Sequence, residues 1–143
     1  MIRYTVGFLF NSKLSKVLLI HKLHPEWQKG KINGIGGKFE DNESNQECIA
    51  REVAEETGLT ISPDLWNKVA ELHSSIFDVD VMTAVYEGSE NDAKSIEIEQ
   101  IEWFSVNNLP KNIISNLSWL IPICIDSIRN KNIENVVARI MVD

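Results

Sequence analysis

The chain has 143 residues, which is the size of one domain, and its 43% apolar and 24% charged residues are ordinary for a soluble globular protein. The formal net charge of −7 disfavours a nucleic-acid-binding surface, which would be basic. No apolar run approaches the ~20 residues of a membrane-spanning helix, and the N-terminal segment lacks a signal-peptide pattern, so we predict a cytoplasmic protein.

The first half of the chain predicts a hairpin, a loop and a glycine-rich strand. Strands are expected at Tyr4–Phe10 and Lys16–His21, and the polar turn between them predicts a hairpin. A polar loop with Pro25 and Gly30 follows, covering residues 23–31. A short strand is then expected around Ile32–Phe39.

A helix is predicted at about Asn45–Thr57. Ser44 is a suitable N-cap, and Glu47 three residues later completes a capping box. Gly58 stands where a C-cap glycine belongs. The start and the end of this helix are therefore both encoded locally.

The second half of the chain predicts further strands and a second helix. The strands are expected at residues 66–75, 77–86, 101–105 and 136–142, and a helical apolar pattern covers residues 112–130. Pro122 should kink that helix or split it in two. With no linker or repeat, residues 1–143 are expected to form a single mixed α/β domain.

The cysteine and histidine content argues against two kinds of site. Cys48 and Cys124 are too few and too far apart for a disulfide framework or a zinc site, so buried reduced thiols are expected. The three histidines lack the spacing of metal ligands.

Three glutamates of the predicted helix carry the strongest chemical signal. Glu52, Glu55 and Glu56 are related by i,i+3 and i,i+4 steps and fall within an arc of roughly 100°. Carboxylates packed this closely repel each other, whereas a hard divalent cation such as Mg²⁺ would make the arrangement favourable. Arg51 beside them can pair with Glu55 or Glu47 and orient a carboxylate, or form an ordinary surface ion pair.

The glycine pair before the helix lets the backbone approach a ligand. Gly36 and Gly37 have no side chains to obstruct it, and a carbonyl there could be another oxygen ligand. Lys38 could meet a phosphate as a point charge. A plain turn is the alternative explanation for the glycines.

The segment GGKFEDNESNQECIAREVAEETGL resembles the Nudix box of the MutT-like hydrolases. Gly37 is followed after five residues by Glu43, and after seven more by the run Arg51–Leu59. The resemblance implies a Nudix fold, in which a mixed β-sheet is sandwiched between helices. It also implies a hydrolase that needs Mg²⁺, with Mn²⁺ as an alternative, and cleaves a phosphoanhydride bond of a nucleotide.

The same resemblance implies roles for individual residues. Glu52, Glu55 and Glu56 are expected metal ligands, one of which acts instead as the general base, and Arg51 belongs to the catalytic group. The Gly37 carbonyl and Glu40 are expected to complete the metal site. A later acid is also expected, and we favour Glu97 over Glu99; the alternative is that both are solvated.

The substrate is less closely defined by the sequence. Residues 31–38 are similar to the corresponding segment of oxidised-purine triphosphatases, which implies that Asn33 contacts a base, although Asn33 also suits a tight turn before Gly34. Trp27 could stack on a base, and Trp119 is expected in a helix core. A nucleoside triphosphate is therefore the expected substrate, with Lys38 on its phosphates.

Several alternatives stay open. The protein could instead hydrolyse ADP-ribose, a nucleotide sugar or a dinucleotide polyphosphate, or it could be a catalytically silent nucleotide sensor. Neither nucleic acid nor membrane is an expected partner, and a homodimer is possible.

Overall fold

The computed structural model describes residues 1–130 and 137–142. Within them the chain forms eight strands and two α-helices. The strands are β1 (Ile2–Asn11), β2 (Lys16–His21), β3 (Ile32–Asn33), β4 (Ile35–Lys38), β5 (Asn67–His73), β6 (Phe77–Tyr86), β7 (Ile101–Ser105) and β8 (Ala138–Met141), and the helices are α1 (Asn45–Thr57) and α2 (Leu117–Arg129).

The eight strands form one mixed sheet built around β1. Along one edge β1 runs parallel to β6 over its whole length. Along the other edge it pairs antiparallel with β4 and, further on, with β2. The sheet extends from β2 to β3 and β7, and from β6 through β5 to β8.

Alternating side chains divide the core into two layers, one on each face of the sheet. Phe8 and Phe10 lie in the cluster under α2, while Leu9 between them lies in the cluster under α1. The first cluster includes Leu117, Leu120, Ile121 and Cys124 of α2, and the second includes Ile49 and Val53 of α1. The predicted architecture, a sheet sandwiched between helices, is therefore confirmed.

The predicted helix at residues 45–57 has the predicted ends. The Ser44 hydroxyl accepts a hydrogen bond from the Glu47 backbone N–H, and the Glu47 carboxylate accepts from the Ser44 N–H. Gly58 ends the helix in the left-handed conformation, with φ of 75°.

Other predicted elements differ in detail. The single strand expected around Ile32–Phe39 is two strands, β3 and β4, on either side of Gly34. The second helix begins at Leu117 because the preceding segment pairs with β3: Ile32 donates to the Asn112 carbonyl (3.0 Å), and Ile114 donates to the Ile32 carbonyl (2.8 Å). Pro122 lies inside one continuous helix, so the expectation of a split was wrong.

The last strand is β8, and the predicted first residue of that strand, Val136, lies outside the described residues. Cys48 and Cys124 are free and buried, as predicted. In residues 1–130 and 137–142, no helix is both long and apolar enough to cross a bilayer.

Charged side chains cluster at the end of β5. The His73 imidazole lies between two carboxylates, with Nδ1 2.8 Å from Asp78 Oδ1 and Nε2 3.0 Å from Glu71 Oε1. Hydrogen bonds to Asp78 and, less strongly, to Glu71 raise the pKa of His73. Hydrogen bonds from Lys68 and His73 lower the pKa of Glu71. Arg139 of β8 also contacts Glu71, so the cluster joins three strands.

The N-cap gives a first prediction about stability. Replacing Ser44 by alanine removes the hydroxyl acceptor of the capping box, so the free energy of unfolding should fall by about 1 kcal/mol. Urea denaturation measures the change, with the exposed Ser12→Ala on the β1–β2 turn as the control. Equal unfolding midpoints for the two variants would contradict the assigned cap.

The His73 cluster gives a prediction about pH. Because the folded-state pKa of His73 is raised, its contribution to stability is complete below the ordinary value of 6.5 and is lost as pH rises through the higher folded pKa. Asp78→Asn should move the pKa of His73 down, as measured by NMR titration of the imidazole. The stability difference between the wild type and this variant should shrink toward alkaline pH; an unchanged imidazole titration would refute the assignment.

Candidate active site

Helix α1 places its acidic side chains beside β4 because it lies very close to the sheet. Ile49 and Val53 of α1 are buried against the sheet. The side chain of Ile49 fills the space where a Cβ on Gly7 of β1 would be. A second glycine, Gly37 of β4, lies directly against Glu52, and a Cβ there would overlap the Glu52 carboxylate. The sequence predicted that the backbone at Gly37 would lie close to a ligand. In the structure the group that lies against Gly37 is the Glu52 carboxylate.

Arg51 is the central cation of the site. Its guanidinium binds both oxygens of Glu43, with Nε–Oε2 at 2.7 Å and Nη2–Oε1 at 3.0 Å. Nη1 lies 3.0 Å from Glu52 Oε1 and 3.3 Å from Glu55, and Nη2 donates to the Lys38 carbonyl (3.1 Å). The side chain is only 23% exposed, so these contacts fix its position.

The pKa values in this network reflect its geometry. The hydrogen bond from Arg51 holds the pKa of Glu43 below its ordinary value, and the carboxylate in turn raises the pKa of Arg51. Two partners were expected for Arg51. The ion pair with Glu55 is present, whereas the Glu47 carboxylate accepts a hydrogen bond in the capping box. Glu40 approaches the same guanidinium, with Oε1 3.3 Å from Nη1.

Glu56 is held in an unfavourable environment for a negative charge. Its Oε2 is buried without a hydrogen-bond partner among residues 1–130 and 137–142. The pKa of Glu56 is raised to about 7, mainly by burial and further by the nearby charges of Glu97, Glu52 and Glu99. Burial likewise raises the pKa of Glu52. A buried carboxylate oxygen without a partner normally requires an explanation, such as a bound cation.

The later acids, Glu97 and Glu99, have different environments. Their segment is attached to the C-terminal end of α1, because Lys94 donates to the Thr57 carbonyl (2.9 Å) and Ile96 to the Glu56 carbonyl (3.3 Å). Glu97 is exposed beside Glu56 and Glu52. Glu99 is only 5% exposed, so the alternative that both acids are solvated does not hold.

Glu99 contacts the segment that follows β2. It accepts hydrogen bonds from the backbone N–H groups of Leu23 (2.7 Å) and His24 (3.2 Å) and from the Lys22 ammonium (3.1 Å). Burial alone would raise the pKa of Glu99, but these bonds outweigh it and lower the pKa.

The donor set fits a hard divalent cation. Carboxylate and carbonyl oxygens are the ligands that Mg²⁺ prefers, and a cation would satisfy Glu56 and relieve its repulsion from Glu52 and Glu97. In the part of the chain that the structure describes, no three acidic, histidine or cysteine side chains are already assembled around one point. Arg51 pairs with Glu52 and Glu55 instead.

The residues expected to touch substrate lie outside this charged cluster. Trp27 is 67% exposed on a short 3-10 helix, Glu26–Gln28, and Lys38 is exposed at the end of β4. Asn33 donates to Gln28 Oε1 (3.0 Å), and its own Oδ1 accepts from the Gly34 N–H (2.8 Å). Trp119, expected in a helix core, is 37% exposed on α2.

Two residues of the site had no assigned partner in the sequence. Glu43 precedes α1, so helical spacing does not predict its pairing with Arg51. Glu99 is separated by more than seventy residues from the loop that it binds. In both cases the partner is set by tertiary structure, and the only local signal is the acidic residue itself.

Comparisons with known proteins agree with this geometry. The family model of the NUDIX domain matches residues 1–120. The chain is 34% identical over 91 residues to "NAD-capped RNA hydrolase NudC" of Stutzerimonas stutzeri (strain A1501), covering 60% of this chain and 31% of that protein. It is 33% identical over 88 residues to "Oxidized purine nucleoside triphosphate hydrolase" of Danio rerio, covering 57% of this chain and 53% of that protein. The chain thus spans about a third to a half of the length of these curated relatives.

Solved structures share the fold. An ADP-ribose pyrophosphatase from Streptococcus suis superposes with a TM-score of 0.73 at 19% identity, covering 96% of this chain and 98% of that chain. A structure from work on MutT of Aliivibrio salmonicida and Vibrio cholerae superposes with a TM-score of 0.68 at 21% identity, covering 87% and 98%. With the family match over residues 1–120, these findings show that the chain belongs to the NUDIX domain family.

Proposed function

We propose that this protein is a metal-dependent hydrolase that cleaves a phosphoanhydride bond of a nucleoside triphosphate, giving a monophosphate and pyrophosphate. The observation that carries the proposal is Oε2 of Glu56, which is buried without a hydrogen-bond partner among residues 1–130 and 137–142 and belongs to the acidic helix of a NUDIX domain. We also propose that residues 1–143 form one domain, because β8 extends the same sheet.

The carboxylates are proposed to hold Mg²⁺ or Mn²⁺. Glu52, Glu56 and Glu97 are the proposed side-chain ligands, and the Gly37 carbonyl is the proposed backbone ligand. The exposed carboxylates of Glu55 and Glu40 pair with Arg51. When bound, the metal neutralises charge on phosphoryl oxygens and lowers the pKa of a coordinated water. One of Glu52, Glu55 and Glu56 is proposed to accept a proton from the attacking water.

Arg51 is proposed to orient the carboxylates rather than to touch the substrate. Its bidentate pair with Glu43 fixes the guanidinium, and Nη1 then holds Glu52 and Glu55 on one side of the helix. Lys38, next to the glycine pair, is proposed to bind a phosphate as a point charge.

The base is proposed to contact Trp27 and Asn33. The exposed indole of Trp27 offers a stacking surface, and Asn33 keeps an amide hydrogen and a carbonyl lone pair beyond its two observed bonds. The Danio rerio relative supports a purine triphosphate. The Stutzerimonas stutzeri relative supports a second candidate, a nucleotide cap on RNA, but the net charge of −7 weighs against an RNA surface.

Hydrolysis of a nucleotide panel tests the proposal. The protein with Mg²⁺ should release a monophosphate and pyrophosphate from a triphosphate, and Glu56→Gln should lower kcat/KM by about 100-fold or more. The panel includes ordinary and oxidised triphosphates, ADP-ribose, nucleotide sugars, dinucleotide polyphosphates and NAD-capped RNA, with products resolved by chromatography. Turnover of ADP-ribose or capped RNA alone would reassign the substrate, and binding without turnover would identify a sensor.

A second experiment tests the role of Arg51. Arg51→Lys keeps the charge but loses the bidentate pair with Glu43, so the carboxylates lose their orientation and kcat/KM should fall by ~10–100-fold. Steady-state kinetics and the Mg²⁺ concentration for half-maximal activity measure the effect. Arg129→Lys on the exposed end of α2 is the matched control. Kinetics equal to those of the control would remove Arg51 from the catalytic group.

A further inference from the structure

The loop between β2 and β3, residues 22–31, is closed on itself. At its base the Lys22 N–H donates to the Lys31 carbonyl (2.8 Å), and the Gly30 N–H donates to the Lys22 carbonyl (3.0 Å). At its far end Gln28 accepts a hydrogen bond from Asn33 (3.0 Å). Trp27 projects from it with 67% of its surface exposed.

One buried carboxylate attaches the start of this loop to the rest of the molecule, while at its end the Asn112 side chain donates to the Gly30 carbonyl (3.1 Å). The Glu99 side chain is 6% exposed, and three donors converge on it, namely the N–H groups of Leu23 and His24 and the Lys22 ammonium at 3.1 Å; His24 Nδ1 lies 3.3 Å away. Hydrogen bonds to a carboxylate are roughly twice as strong as neutral ones, so this attachment is firm.

The other side of the Glu99 segment belongs to the candidate active site. Glu97, two residues earlier, lies beside Glu56 and Glu52, and Ile96 donates to the Glu56 carbonyl oxygen. Lys22, held by Glu99, also lies close enough to Glu56 to reduce the repulsion there. The segment 94–99 is therefore bound to α1 at one end and to the 22–31 loop at the other.

Packing of the core does not account for this attachment. Ordering a loop costs roughly 1–2 kcal/mol per residue in backbone entropy. The loop held here presents an exposed indole and an exposed backbone instead of filling the core. Glu99 fixes this loop next to the negatively charged candidate site. The cost of ordering the loop is explained if the loop contacts the substrate.

We propose that Glu99 is a positioning residue for nucleotide binding: it fixes the 22–31 loop relative to Glu97 and α1, so that a base on the loop and a phosphate at the carboxylates are held at a set separation. This inference rests on the proposed function. Glu99 touches neither the base nor the phosphate; it acts through Leu23, His24 and Lys22.

Two substitutions at Glu99 separate charge from hydrogen bonding. Glu99→Ala removes all of these contacts, whereas Glu99→Gln keeps one acceptor oxygen for the Leu23 and His24 N–H groups and loses the charge opposite Lys22. Glu102→Ala is the matched control, because Glu102 is an exposed acid three residues later that pairs with His21 at 2.9 Å.

The readouts are amide hydrogen exchange at Leu23 and His24, and KM separately from kcat for the best nucleotide. Glu99→Ala should speed exchange at both amides and raise KM about tenfold, with a smaller change in kcat. Glu99→Gln should keep slow exchange at Leu23 and raise KM less. Glu102→Ala should match the wild type in both measurements.

Three results would overturn the inference. Unchanged exchange in a folded Glu99→Ala protein would show that the carboxylate does not hold the loop. Faster exchange with an unchanged KM would reduce Glu99 to a structural residue. If Glu99→Ala does not fold, a Glu99→Gln protein with a wild-type KM would overturn the inference instead, because losing the charge opposite Lys22 would then have no effect on nucleotide binding. A wild type that hydrolyses no nucleotide would instead contradict the proposed function, while the exchange data would still report on the loop.

Discussion

The close approach of α1 to β1 and β4 determines where the acidic groups of this helix lie. It depends on two positions without a side chain, Gly7 under Ile49 and Gly37 under the Glu52 carboxylate. A Cβ at Gly7 would overlap the Ile49 side chain, and a Cβ at Gly37 would displace the Glu52 carboxylate. The same contact that closes the core on this face of the sheet therefore places the carboxylates against the backbone of β4.

The site balances opposing electrostatic effects. Glu52 and Glu56 are partly buried among like charges, which raises the pKa of each, and Arg51 relieves only part of this repulsion. Arg51 binds Glu43, Glu52 and Glu55 but leaves Oε2 of Glu56 unpartnered among the described residues. The folded protein thus retains unfavourable charge interactions that a divalent cation would remove, as expected when a site is selected for binding and not for stability.

The sequence predicted the elements whose conformation is determined by neighbouring residues. Ser44, Glu47 and Gly58 fixed both ends of α1, and the alternation in β1 and β2 gave strands with two buried faces. The predicted start of α2 was wrong because residues 112–114 pair with β3, a contact that no periodicity reveals. The box residues could be identified by their spacing, whereas the partners of Arg51 and Glu99 depend on tertiary contacts between distant segments.

The central pair of strands also constrains how the chain can fold. β1 is parallel to β6, with Ile2 opposite Phe77 and Asn11 opposite Tyr86. The two strands are therefore separated along the sequence by about half of the chain, and the segment between them contains the whole of α1. Non-local pairing of this kind slows folding, and until it forms, the apolar edge of β1 is open to other chains. The hairpin with β2 and the helix with its two caps can form early, so the acids would be on a formed helix before the sheet that orients them exists.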